Sequence, residues 1–235
     1  MTNQDNDESL IAHLEALRET LLKCLIVLGL VFPFMLFAAP KVLECLTDII
    51  ISDSNVTLNY FSPAEVFLLQ IKTAAVLDLI VCFPYIAKKI WDFILPALYE
   101  NERKFIKTTV LTSTALFVTG VLFCIFFILP LIIKFGLSFS SSNIKAVFGI
   151  SNIINLSLWM SISFGLMFQL PLITYSLIKS DIIPYESISD KRSYVIVGIL
   201  IMAGILTPPD VVSQILLALP TYMLFELGLF FARRK

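Results

Sequence analysis

The segment Pro84-Tyr-Ile-Ala-Lys-Lys-Ile-Trp-Asp-Phe-Ile-Leu-Pro-Ala-Leu-Tyr-Glu-Asn-Glu-Arg-Lys-Phe-Ile-Lys107 mixes charge, aromatics and proline between two strongly apolar stretches. It sets Lys88, Lys89, Arg103, Lys104 and Lys107 against Asp92, Glu100 and Glu102. Hydrocarbon cannot hold such a segment, because each charge costs ~2.5–3.5 kcal/mol at the centre of a membrane helix. It reads as a loop at a membrane surface, basic overall, with carboxylates displayed on it. Together with the N-terminal segment it forms the expected working face.

The rest of the chain supports a membrane setting. Of 235 residues, 58% are hydrophobic and only 15% charged, and the mean hydropathy is +0.90. That composition is one of a polytopic membrane protein, with 1–235 forming a single integral membrane domain. A net charge of −1 offers no global basic balance for nucleic acid. Cys24, Cys45, Cys82 and Cys124 show no metal-ligand or disulfide-framework spacing. The acidic start Met-Thr-Asn-Gln-Asp-Asn-Asp-Glu does not fit a cleavable signal peptide, so the first helix is expected to stay.

Working outward from the basic loop, Leu10, Leu14, Leu17 and Leu21 recur at helical spacing. This predicts an amphipathic lead-in helix over 9–22, lying against the membrane. A first span over about 21–39 is expected to end at Pro40, followed by a more polar connection over 41–65. The second span, about 66–87, holds Lys72 and Asp78, and the third, 108–133, holds no charge. Pro130 is expected to kink the third span or mark its exit. A fourth span, 153–178, carries Gln169 and Pro171 after a serine-rich loop at 138–143. Two short apolar pieces, 193–206 and 211–225 (the second extendable to about 230), flank Thr207-Pro208-Pro209-Asp210. Each piece covers only about 22 Å by helix rise, less than the bilayer core.

Six crossings put both termini on one side. That side collects thirteen Lys and Arg residues: Arg18, Lys23, the five of the basic loop, Lys179, Lys191, Arg192 and the Arg233-Arg234-Lys235 tail. The other side has Lys41, Lys72, Lys134 and Lys145. The asymmetry predicts N-in, C-in. The expected fold class is an all-α membrane protein: six transmembrane helices in one bundle, the last two short.

With the loops placed, the chain resembles the TatC family, the multispanning receptor subunit of the twin-arginine protein translocase. The resemblance runs over most of the sequence. It rests on His13-Leu14-Glu15-Ala-Leu17-Arg18 and on Ser62-Pro63 followed by Phe67. It continues through Pro84, Trp91-x-Phe93-x-x-Pro96-Ala97-Leu98-Tyr99-x-x-Glu102-Arg103, Phe117-x-x-Gly120 and Pro130. Lys191-Arg192-x-Tyr194, Thr207-Pro208-Pro209-Asp210-x-x-Ser213-Gln214, Pro220-x-Tyr222 and Phe225-Glu226-x-Gly228 close it. Two departures stand out. Gln169 occupies the place where the family often has Glu in Phe-x-Glu-x-Pro, and Ser193 follows Lys191-Arg192 where a proline is common.

The resemblance implies a cup-shaped six-helix fold with no cofactor, no metal and no enzymatic chemistry. It implies binding of twin-arginine signal peptides of folded cargo at the cytoplasmic face, and transport driven by the proton-motive force. The implied partners are single-span TatA/TatB-type proteins, further copies of the chain in a homo-oligomer, and membrane lipid. The setting would be the bacterial cytoplasmic (inner) membrane or an organellar equivalent. Carried onto this sequence, the signal-peptide residues are Glu15, Glu102, Arg18, His13, Phe93, Pro96, Tyr99 and Arg103. Gln169 falls to an intramembrane cavity, and Pro84, Pro171, Thr207, Pro208, Pro209, Asp210 and Gln214 to structural or partner contacts.

Chemistry agrees with parts of that assignment. Two guanidinium groups arriving from the cytoplasm want partly desolvated carboxylates, where bidentate pairing selects Arg over Lys. Glu15 and Glu102 are the candidates, against the plainer alternative that they balance Arg18 and Arg103 on solvated surfaces. His13 fits a surface or capping histidine better than a pH switch. Gln169 is expected to face the bundle interior or a wet cavity, since lipid offers its amide no partner. Asp78 must face protein, water or a partner, and reads as structural. Asp210, directly before the sixth helix, reads as its cap. Glu226 reads as interfacial, and Pro84, Pro130, Pro171 and Pro220 as shape residues. A rival reading is a small secondary transporter or channel using Lys72, Asp78 and Gln169 as a polar path. Against it, the chain shows no internal repeat.

Overall fold

The computed structural model describes residues 2–52, 58–94, 103–139, 147–179, 182–207 and 210–233. Nine α-helices and one π-helical turn are described: α1 (Thr2–Ser52), α2 (Pro63–Ile94), α3 (Arg103–Phe123), the π turn Cys124–Ile128, α4 (Leu129–Leu137), α5 (Ile150–Met167), α6 (Leu170–Lys179), α7 (Tyr185–Asp190), α8 (Arg192–Leu206) and α9 (Val211–Arg233). Five stretches are long and apolar enough to cross a membrane: Leu14–Ile50, Pro63–Phe93, Lys107–Leu137, Ile150–Lys179 and Val211–Arg233. The 15-residue α8 is apolar too and supplies a sixth, shorter segment. The protein is an all-α, multi-pass integral membrane protein.

The first span departs from the sequence reading. Pro40 does not end it, and no break separates the lead-in from the span: α1 runs unbroken for 51 residues through Pro33 and Pro40. At 1.5 Å per residue it is about 77 Å long, more than twice the hydrocarbon thickness. The polar stretch expected after Pro40 is in fact amphipathic. Ala39, Leu43, Leu46 and Ile50 recur at i, i+4, i+7 and i+11, and all are buried. The last three pack with Leu69 of α2, Ile133 of α4 and Ile153, Ile154 and Leu158 of α5. Their burial offsets the hydrogen bonds that the two prolines remove, and both prolines lie on the exposed side.

Pro63 opens α2 at its first position, where a missing N–H costs nothing. Glu65 reaches back so that its Oε2 accepts the Phe61 N–H at 2.9 Å. In the third span the π turn precedes Pro130, and the Leu129 N–H donates to the Cys124 carbonyl. The wider turn takes up the local irregularity at the proline, and the helix continues to Leu137. The fourth span is broken: α5 ends at Met167, and α6 restarts at Leu170 with Pro171 as its second residue. Of the last two helices, only α8 is short. The sixth extends to Arg233, 23 residues in all, so flanking residues supply the length that its uncharged part lacks.

Glycines set the closest approaches. A Cβ on Gly120 of α3 would lie 2.7 Å from the Phe164 carbonyl oxygen, and one on Gly165 of α5 2.6 Å from the Phe117 ring. Those two positions let α3 and α5 meet backbone to side chain, as small residues do between membrane helices. Phe117 in turn stacks on Phe83 of α2, ring centroids 3.7 Å apart. On the side away from the basic loop, Leu58–Asn59 and Phe148–Gly149 form a two-stranded parallel ladder, pairing Leu58 with Phe148 and Asn59 with Gly149.

Candidate functional site

The N-terminal part of α1 lies beside the C-terminal end of α2. Lys89 of α2 is within electrostatic reach of Glu19, and Tyr85 of Lys23. Lys89 also sits over the Tyr85 ring, 5.7 Å from its centroid. One surface of the molecule therefore gathers the lead-in helix, the basic end of α2 and, at Arg103, the start of α3. Glu15 and Arg18 are exposed on it. One turn on, Lys23 Nζ donates to Glu19 Oε1 at 2.6 Å, an i,i+4 pair that the sequence reading did not single out. Phe93 is half-buried in the last turn of α2, next to the buried Trp91. Pro96, Tyr99 and Glu102 lie outside the described residues, as do the side chains of His13 and Arg103.

The second polar site lies inside the membrane. The break between α5 and α6 turns Gln169 into the bundle, where it is 8% exposed. Ser113 Oγ of α3 donates to Gln169 Oε1 at 2.6 Å, and Gln169 Nε2 donates to the Ser113 carbonyl at 3.1 Å. A third, longer contact runs from Nε2 to the Gly165 carbonyl at 3.4 Å. The amide therefore forms a reciprocal pair with one residue of α3. The pair lines a cavity of about 340 Å³ whose other walls include Phe83, Ala87, Trp91 and Ser176. Sequence reasoning did not single out Ser113. Its signal is a small polar residue near the middle of an uncharged span, one of many serines and threonines of that kind in this chain.

Other polar groups in the spans are held by protein as well. Asp78 is 4% exposed, and the Cys82 thiol donates to its Oδ1 at 3.5 Å. Lys72 Nζ donates to Asn155 Oδ1 of α5 at 2.9 Å, and Asn155 Nδ2 to Ser151 Oγ at 3.2 Å.

The terminal hairpin shows the capping that its sequence suggests. Asp210 Oδ1 accepts the Ser213 N–H at 2.7 Å, capping α9. Thr207 ends α8 with its hydroxyl donating to the Ala203 carbonyl at 2.8 Å. Gln214 Nε2 ties the two helices by donating to the Leu200 carbonyl at 3.0 Å, directly over Gly204. Pro208 and Pro209 lie outside the described residues. Pro84 is exposed within α2, while Pro171 is buried where Gly228 of α9 meets it. At the far end of α9, Glu226 is more than interfacial. Its Oε1 accepts the Tyr222 hydroxyl at 2.8 Å and pairs with Arg192 Nε of α8 at 3.5 Å.

These features define a multi-pass helical membrane protein with a charged surface at one end and a polar pair inside. Comparison with known proteins narrows the class. The family described as Sec-independent protein translocase protein (TatC) matches residues 12–220. The Sec-independent protein translocase protein TatC of Haemophilus influenzae is 34% identical, covering 99% of this chain and 92% of that protein. The corresponding protein of Escherichia coli K12 is 32% identical over 97% of this chain and 90% of its own. A crystal structure of the twin-arginine translocase receptor TatC superposes with a TM-score of 0.85 at 31% identity, covering 94% of this chain and 99% of the other. The chain belongs to the TatC family, and is a component of a protein translocase.

Proposed function

We propose that this chain is the signal-peptide receptor and core subunit of a twin-arginine translocase. In this reading it sits in a bacterial-type inner membrane with both termini in the cytoplasm. It binds twin-arginine signal peptides of folded proteins at the face carrying Glu15 and the basic loop. It assembles with TatA/TatB-type single-span proteins and with further copies of itself, and export draws on the proton-motive force. The observation that carries the reading is the exposed Glu15 carboxylate on α1, on the stretch that runs beside the end of α2. The loop leaving that end of α2 holds Glu102. Carboxylates there offer paired guanidinium groups charge-assisted, bidentate hydrogen bonds. The peptide's apolar stretch adds burial.

The test is photocrosslinking of Arg-Arg and Lys-Lys signal peptides to membranes holding wild-type or variant protein at matched level. Glu15→Ala or Glu102→Ala is expected to weaken crosslinking of the Arg-Arg peptide and hardly change that of the Lys-Lys peptide. Equal crosslinking of the Arg-Arg peptide to wild type and to the Glu15→Lys, Glu102→Lys double variant removes the site. Orientation is tested separately, by cysteines placed in a cysteine-free background. Those at Asn101 and Asp190 should label from the cytoplasm only, and one at Asn55 from outside only.

A further inference from the structure

A second cavity, larger than the one at Gln169, opens between α3, α6 and α9 and has a volume of about 600 Å³. It lies outside the surface that carries Glu15. Gly228 explains how it forms. A Cβ there would fall 2.7 Å from Pro171 Cα and 2.8 Å from its carbonyl oxygen, so α9 is seated directly on the start of α6. With α9 held there, α6 becomes the floor of a groove walled by α3 and α9.

The groove is polarised along its length. Because α3 runs opposite to α6 and α9, one end gathers Thr108 and Thr109 of α3 with Tyr175 and Lys179 of α6. The other end, about 12 Å away by helix rise, is lined by Leu116, Pro171 and Leu172. The Lys179 ammonium stands 5.6 Å from the Tyr175 ring centroid. Lys107 immediately precedes Thr108, and Arg233 ends α9 two residues beyond the groove residue Phe231. Lys179 is the basic residue that lines this end, and Lys107 and Arg233 lie close to it in sequence. It is also the end of α3 that leaves the basic loop, so it sits at headgroup depth.

We propose that this groove holds one anionic glycerophospholipid. Lys179 and the threonine hydroxyls bind its phosphate, and one acyl chain lies along the apolar floor between α3 and α9. Charge complementarity is the argument. A hydroxyl-lined cationic end matches a phosphodiester, and an apolar slot leading from it toward the membrane centre matches the chain attached to that phosphate. The volume is within the range of about 300–1,000 Å³ usual for ligand sites. A zwitterionic lipid offers the same chain but cancels the phosphate charge with its own amine.

The experiment is native mass spectrometry of the purified full-length chain with equal amounts of phosphatidylglycerol and phosphatidylcholine. Wild type is expected to retain the anionic lipid in about fivefold excess, the weight of one basic residue near an anionic headgroup. Lys179→Glu should bring that excess close to one. Thr112→Trp, which fills the groove from an exposed position and leaves the lysine in place, should lower retention of both lipids. Equal retention of the two lipids by wild type, or an unchanged excess in Lys179→Glu, overturns the proposal. A photoreactive side chain at Leu227 in native membranes separates lipid from a protein occupant. An adduct of lipid mass supports the site, and a single-span polypeptide crosslinked there in place of lipid overturns it.

Discussion

Two polar regions of this protein are built on opposite terms. At Gln169 the amide closes on Ser113 in both directions, at 2.6 and 3.1 Å, and is 8% exposed. At Glu15 a carboxylate stands exposed on α1, beside a basic helix end. The first region lies where water is scarce, so the protein itself must satisfy each polar atom. The second lies where water can hydrate a charge until a partner displaces it. Buried polarity here holds helices together, and surface polarity is available for recognition.

Four sets of variants test that contrast, ordered by expected effect. The largest is the Glu15→Lys, Glu102→Lys double variant. With each charge-assisted contact worth ~1.5–3 kcal/mol and repulsion added, crosslinking of an Arg-Arg peptide should fall more than about 100-fold. The temperature of heat-induced aggregation in detergent should stay put, because an exposed carboxylate contributes little to the fold.

Gln169→Leu should do the reverse. It removes the acceptor of the buried Ser113 hydroxyl, a cost of ~1–3 kcal/mol for a buried unsatisfied group, while the Ser113 carbonyl keeps its bond within α3. The aggregation temperature should drop and export decline, while peptide crosslinking persists. Combining it with Ser113→Ala should cost less than the sum of the two, by roughly the ~0.6 kcal/mol averaged by such membrane pairs. Full additivity would mean the two side chains are not coupled.

A smaller effect is expected from Asp210→Ala, which removes the cap of α9 and should cost ~1 kcal/mol. Asp210→Asn keeps an accepting oxygen and should restore most of it. Smallest is Glu19→Ala. Its pair with Lys23 is solvent-exposed and screened, so both stability and peptide crosslinking should remain near wild type. A large loss of crosslinking would extend the recognition surface one turn along α1.

Much of the architecture was legible because lipid imposes a one-dimensional rule. Spans must be apolar for about 20 residues, and charged loops must lie outside them. The third span, uncharged over 108–133, follows from that rule alone. Where the rule is silent, reading failed. Pro40 looked like a terminator because its local preference disrupts helices, yet Leu43, Leu46 and Ile50 pack against α2, α4 and α5 and carry α1 to Ser52. For Glu226 the sequence showed a position but no partner, because Arg192 is 34 positions earlier, on another helix.

The candidate sites divide the same way. Glu15 and Asp210 were singled out from short motifs, and Asp210 caps α9 because a charge just before a helix start carries its meaning in neighbouring residues. Ser113 was not, because its role depends on a residue 56 positions away. By itself the sequence determined that the chain is a multi-pass helical membrane protein, that its charges cluster at one face, and which family it resembles. Those properties depend on composition and on residues within a few turns of each other. Only the tertiary structure decided the length of α1, the break at Gln169 and its pairing with Ser113, the parallel ladder of the outer loops, and the groove beneath Lys179. Each of these is set by side chains distant in sequence that meet only once the helices are packed.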